Sequence, residues 1–161
     1  MIRAAVLALG CALGGPALAL SCLPPDVAET YRRAAEAEET YIVVQGRLTF
    51  DPARLPSTDM IPQKKPAHTL IPARLTGQAL TRGGFDQAFD RAITLDVQCF
   101  GPWCASAVPG AEYLGFLERR DGGYVLTLDP CGGMGHPDPT PAMLDKALEC
   151  LQGGPCMRTR R

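Results

Sequence analysis

Histidine, tryptophan and net charge are all scarce in this chain. Its 161 residues include two histidines, His68 and His136, and one tryptophan, Trp103. A transition-metal centre needs three or four converging ligands, and two histidines this far apart do not begin one. The net charge of −1 excludes a surface built to hold a polyanion such as nucleic acid. Past Ala19 no run is long and apolar enough for a membrane-spanning helix. The chain has no Gly-x-Ser-x-Gly elbow, no His-Glu-x-x-His and no Gly-x-Gly-x-x-Gly between strand and helix. The common hydrolase, zinc-protease and dinucleotide templates are therefore missing. Asp86, Asp90 and Asp96 are scattered, and no neighbouring pair of carboxylates announces acid–base catalysis. Internal repeats and strand–helix alternation are absent too, which excludes solenoids and parallel α/β sheets.

The segment MIRAAVLALGCALGGPALA has one basic residue, Arg3, then an uncharged stretch ending in Ala17-Leu18-Ala19. This is the pattern of a signal peptide and its cleavage site. Gly14, Gly15 and Pro16 would break a buried helix there. Cleavage after Ala19 would remove Cys11, one of seven cysteines, and leave six. An even number in an exported chain reads as three disulfides. A competing cut before Cys22, in Ala19-Leu20-Ser21-Cys22, would leave that cysteine acylated and the protein lipid-anchored. The expected organisation is a signal peptide over 1–19, one domain over 20–156 and a basic tail over 157–161, with Arg158, Arg160 and Arg161.

Asp26 is a suitable N-cap for a helix that places Val27, Tyr31, Ala34 and Ala35 on one face. Thr40–Phe50, β-branched and aromatic, predicts a strand, and Gly46 inside it predicts a bulge or a sharp bend. Four prolines between Asp51 and Ala67 predict a long loop. Strands are expected over His68–Leu80, Arg91–Gln98, Glu112–Glu118 and Tyr124–Leu128, with a hairpin turn at Asp121-Gly122-Gly123. Phe85 and Phe89 suggest a short helical turn. Thr140-Pro141 opens a last helix with Met143, Leu144, Ala147, Leu148 and Leu151 on one face, and Gly153 stops it. The fold class is mainly β with a helix at each end.

The most chemically loaded run is CFGPWCASAVPG, Cys99 to Gly110. A redox turn would need Cys-x-x-Cys, and position 107 is Ala. A zinc knuckle would need a second answering pair. A staple needs only that Gly101-Pro102 turn the chain so that Cys104 returns to Cys99. Cys150 and Cys156 flank Gly153-Gly154-Pro155 in the same way, and Cys22 and Cys131 remain. Six cysteines allow 15 pairings, so spacing leaves the connectivity open. His136, in CGGMGHPD, reads as a solvated loop residue.

The early Cys22, the strands EETYIVVQGRL and ARLTGQAL, then ITLDVQC, PGAEYLGFL, YVLTL and Cys131 together resemble the netrin-like domain family, which includes the tissue inhibitors of metalloproteinases. The resemblance spans about 21–133. It implies a five-stranded OB-type barrel with terminal helices, disulfides holding the N-terminus, an extracytoplasmic setting and action as a binding module. Inhibitors of that family place an N-terminal cysteine and its free α-amine on the protease zinc. Here Leu20 would be the first mature residue and Cys22 the third, so that chemistry is not carried over. The resulting expectation is an exported, periplasmic or secreted, non-catalytic binding domain. It has no cofactor, no metal, no nucleic-acid partner and no membrane span, and its partner is an unidentified protein or small ligand. The alternative is a thiol-redox or metal-binding protein using Cys99 and Cys104.

Overall fold

The computed structural model describes residues 20–57, 59 and 65–158. The expected signal peptide, with Cys11, and the last three residues lie outside them.

Helix α1 (Val27–Glu36) starts where expected. The Asp26 carboxylate accepts a hydrogen bond from the Glu29 N–H at 3.0 Å, satisfying one of the helix's free donors. Strand β1 (Tyr41–Phe50) follows, then a single 3-10 turn at Pro52–Arg54. Strands β2 (His68–Thr81) and β3 (Gly84–Phe100) form a long hairpin about the turn Arg82-Gly83. Phe85 and Phe89 are therefore in a strand, not a helical turn. A spacing of four is one turn of helix but also two strand repeats. Here Phe89 joins the core and meets Tyr124 edge-on, while Phe85 packs toward the helices.

Strand β4 (Trp103–Cys104) folds straight back on β3, pairing Phe100 with Trp103 and Cys99 with Cys104. Gly101 takes φ +62°, which its turn position demands. Strands β5 (Glu112–Arg120) and β6 (Gly123–Leu128) form the expected hairpin, and β7 (Gly135–Pro137) adds to the other part of β5. Helix α2 (Pro141–Leu151) closes the described chain. Thr140 begins it, but through its carbonyl, which accepts from the N–H groups of Met143 and Leu144; its hydroxyl makes no cap.

The sheet has seven strands, against five expected, because β4 and β7 are too short to register in the residue pattern. β1 pairs antiparallel with β2 and with β5; β3 pairs antiparallel with β2 and parallel with β6; β6 pairs antiparallel with β5. Gly46 carries no bulge. It lies opposite Gly77 in an unbroken β1–β2 register, and the register shift falls between Ala79 and Leu80 instead.

Two apolar layers result. Val44, Leu48, Ile71, Leu75, Leu95, Val97, Leu117 and Leu126 pack together as the larger core, on one side of β5. On the opposite side of β5, Leu114 and Phe116 meet Val27 of α1 and Ala147 of α2. β5 is buried on both faces, which is why EYLGFL reads as a continuous apolar run. The helices cover β5, part of β1 and the turn end of the β2–β3 hairpin, at Leu80 and Phe85. At the other end of that hairpin Leu70 and Phe100 are exposed.

Three disulfides close the described chain: Cys22–Cys131, Cys99–Cys104 and Cys150–Cys156. No described helix is long and apolar enough to cross a membrane.

Candidate functional site

Directly opposed residues of paired strands share a face of the sheet. Cys99 and Cys104 point inward, and Cys99 is buried. Their neighbours Phe100 and Trp103 therefore share the outward face. So do Gln98 and its partner His68, and Asp96 and its partner Leu70. The uncovered face of β2, β3 and β4 thus gathers an aromatic pair, an imidazole, an amide, a carboxylate and an aliphatic side chain. Leu70 is 63% exposed and Phe100 44%; Trp103 is half-buried.

At its centre is a pair that linear reading does not show. His68 Nδ1 lies 3.0 and 3.2 Å from the two carboxylate oxygens of Asp96, and Gln98 Nε2 donates to Asp96 Oδ2 at 3.1 Å. Asp96 is 4% exposed, whereas the His68 side chain is 60% exposed. An ionised carboxylate only accepts, so Nδ1 carries a proton and donates to Asp96, as the Gln98 amide does. One buried carboxylate thus fixes both side chains.

The charges around this pair are already engaged. Arg120, across β6 and β5, makes two hydrogen bonds to Glu118, at 2.5 and 2.8 Å. Glu118 holds the Arg120 guanidinium above its ordinary pKa, and the Asp96 charge adds to the effect. The Lys65 ammonium donates to the carbonyls of Ser57, Asp59 and Pro102 at 2.5, 2.7 and 3.2 Å. Lys65 thus ties the proline-rich loop to the Gly101-Pro102 turn. Further along, Arg74 donates to Asp90 at 2.7 Å. From Leu70 a groove of about 350 Å³ continues past Ala92, Thr94 and Tyr124 to Arg120 and the Asp121-Gly122 turn.

A second concavity, of about 180 Å³, lies on the helix side between Tyr31 and Ala34 of α1, Ile42 and Val43 of β1, Phe116 and Leu151. Burial raises the Tyr31 and Tyr41 hydroxyls above their ordinary pKa; at Tyr41 the charge of Glu118 adds to this.

His136 is not the solvated loop residue expected. It lies in β7, 3% exposed, with Nε2 3.0 Å from the Thr30 hydroxyl and its ring edge-on to Phe116. Thr30 spends its own hydrogen on the Asp26 carbonyl at 3.1 Å, so His136 Nε2 is the donor. The glycines around it, read as loop, are close-approach positions: a Cβ on Gly135 would fall 2.5 Å from a Leu128 methyl.

Of the residues singled out from sequence, Cys99, Cys104 and Trp103 belong to the outward face or its inner support. Cys22 and Cys131 lie at the N-terminal corner, and Cys150 and Cys156 at the end of α2. The His68–Asp96 pair was missed because its members stand 28 positions apart and meet only across the β2–β3 register. Asp96 gave no signal of its own, because it takes a polar place in the alternation Ile93-Thr94-Leu95-Asp96-Val97-Gln98. No group of three or more His, Cys, Asp or Glu side chains among the described residues is disposed to hold a metal ion. No family model, no curated protein and no solved structure matches this chain.

Proposed function

We propose that this protein is an exported, disulfide-stapled binding module that acts through the outward face of β2, β3 and β4. In this reading β1, β2, β3, β6 and β5 form a five-stranded barrel of OB type, supported by pairings that run from β1 through those strands and return to β1. Kinship with netrin-like domains belongs to the same reading. A signal peptide over 1–19 and a periplasmic or secreted address belong to it too. The three disulfides support that address, since such bonds persist in oxidising compartments.

The observation that carries the proposal is the juxtaposition on one uncovered face of exposed Leu70 and Phe100 with an imidazole oriented by a buried carboxylate. A carboxylate taken out of water costs stability unless it is well partnered, and Asp96 serves chiefly to fix an exposed side chain. The competing reading places a thiol-redox or metal centre at Cys99 and Cys104. A metal centre there would need two free thiolates, and these sulfurs are bonded to each other; a redox pair would pass through the same disulfide, and the burial of Cys99 disfavours it. Lipidation of Cys22 requires a free sulfur as well, and Cys22 is bonded to Cys131.

The test is a photo-reactive benzophenone residue placed at position 100 and, for comparison, at exposed position 36 on α1, in protein exported from its own leader. Adducts identified by mass spectrometry at position 100 but not 36 are expected. Equal or absent labelling at 100 would sink the proposal. Alkylation of the unreduced protein should label no cysteine; a labelled Cys99 or Cys104 would instead favour the thiol reading.

A further inference from the structure

The helix-side concavity stands apart from the outward face, and from it we infer a second site, one for a small uncharged aromatic molecule of a single ring. The fold builds this concavity at a break in the strand pairing. β1 and β2 are in register from Val44 and Ala79 to Phe50 and Ala73, and the β2–β3 register shifts between Ala79 and Leu80. Such an irregularity re-aims a side chain, and Leu80 here packs with the helix-side layer. The lining takes Tyr41, Ile42 and Val43 from β1 and Leu80 from β2, so the concavity lies where the two strands part. Its other walls include Tyr31 and Ala34 of α1 and Leu151 at the end of α2.

The lining selects the chemistry. Phe116 is fully buried, with Tyr31 edge-on to it at 6.2 Å between ring centroids. Tyr31, Tyr41, Val43, Leu80 and Leu151 are only half-buried, which leaves apolar and ring surface facing the space between them. Another ring packs well on such surface. Every described lining residue is aliphatic or aromatic, and an unpartnered charge buried there would be costly. The ions that act on the Tyr41 hydroxyl are of both signs, Glu118 and Glu39 against Arg120 and Arg33, so they favour neither an anion nor a cation. Burial holds the Tyr31 and Tyr41 hydroxyls protonated, and each can donate to or accept from one polar group on a ring. The concavity measures about 180 Å³, and an apolar cavity of about 150 Å³ holds a benzene ring. It therefore has room for one ring and a small substituent.

The walls are also fixed in advance. On α1 the Arg33 guanidinium donates to the Gly133 carbonyl at 2.6 Å, and Thr30 meets His136 at 3.0 Å. At the end of α2 the Gln152 amide donates to the Arg82 carbonyl, in the β2–β3 turn, at 2.9 Å. The Cys150–Cys156 bond brackets Leu151. Both helices are thus tied to the sheet on either side of the concavity. A small ligand that enters a preformed space does not have to order it, which favours affinity for so few atoms.

The oxidised mature protein is titrated by calorimetry with p-cresol and indole, and with benzoate and benzylamine as charged comparisons. Saturable binding of at least one neutral ring, with Kd below about 1 mM, is expected, and the charged rings should bind at least about tenfold more weakly. Nuclear Overhauser contacts from the bound ring should reach the methyls of Leu80 and Leu151. Ala34→Leu fills the concavity with a good helix former and should abolish binding without lowering the unfolding midpoint. Tyr41→Phe should weaken p-cresol by about fivefold and leave toluene unchanged. If Ala34→Leu fails to fold, the Overhauser contacts and the Tyr41→Phe contrast still decide. No saturable binding of either neutral ring, contacts to other residues, or a charged ring binding as tightly as p-cresol overturns the inference. Phe100→Ala, on the outward face, should leave this binding unchanged. Failure here therefore leaves the outward-face reading standing, and loss of cross-linking at position 100 leaves this site standing.

Discussion

His136 shows what burial does to one side chain. Its imidazole is enclosed by Phe116 and α1, and that burial pulls its pKa down to about 4. An unfolded chain would titrate the same ring near 6.5. The fold therefore binds the neutral form. The stability this implies is fully present above the unfolded pKa and is lost as pH falls from about 6.5 toward 4. Urea unfolding at pH 7 and at pH 4.5 should differ by about 2 kcal/mol from this residue. His136→Gln should flatten that part of the pH dependence; an unchanged slope would locate the acid sensitivity elsewhere. Thr30→Val should cost about 1–3 kcal/mol at pH 7, because it leaves the buried Nε2–H without its acceptor. From sequence His136 sat in a Gly-rich loop, since nothing local shows that Gly135 is small to admit Leu128 rather than to bend the chain.

At the scale of elements, β1 and β2 cross so closely that neither tolerates a side chain at the crossing. A Cβ on Gly46 would sit 2.5 Å from the Thr76 carbonyl oxygen, and one on Gly77 only 2.1 Å from that of Gln45. Both obstacles are backbone, which cannot swing aside. Gly77→Ala should destabilise by about 2 kcal/mol or more, measured by chemical denaturation. Gly110, whose Cβ would meet nothing, has left-handed φ and should show only the conformational cost of about 1 kcal/mol. The strand containing Gly46 was legible because its β-branched and aromatic residues are local information. The role of Gly46 was not, because its opposing Gly77 lies 31 residues away in register. The same applies to Phe85 and Phe89, whose spacing suits both periods until β2 claims them.

For the whole molecule the disulfides differ in what they constrain. Cys22–Cys131 closes a separation of 109 residues, Cys99–Cys104 one of 5 and Cys150–Cys156 one of 6. By loop-closure entropy the first restricts the unfolded chain by about 5 kcal/mol and the other two by about 2 kcal/mol each. Replacing Cys22 and Cys131 together by Ser should therefore lower the unfolding midpoint most. Replacing Cys99 and Cys104 should have the smaller effect on stability and the larger one on Trp103 emission. The reverse order would mean that packing at the Trp103 hairpin outweighs chain entropy.

The amino-acid order by itself determined the local quantities. These are the two helices and the central stretches of the five longer strands, the N-cap at Asp26, the two-residue turns, and cysteine pairs near enough in sequence to be joined by a short turn. Each depends on residues within a few positions of one another. Tertiary structure alone decided the burial of His136, the crossing at Gly46 and Gly77, and the meeting of His68 with Asp96 beside Phe100 and Trp103. Those depend on strand register, and register is set by how distant apolar faces close over a common core, a quantity that no short stretch of sequence contains.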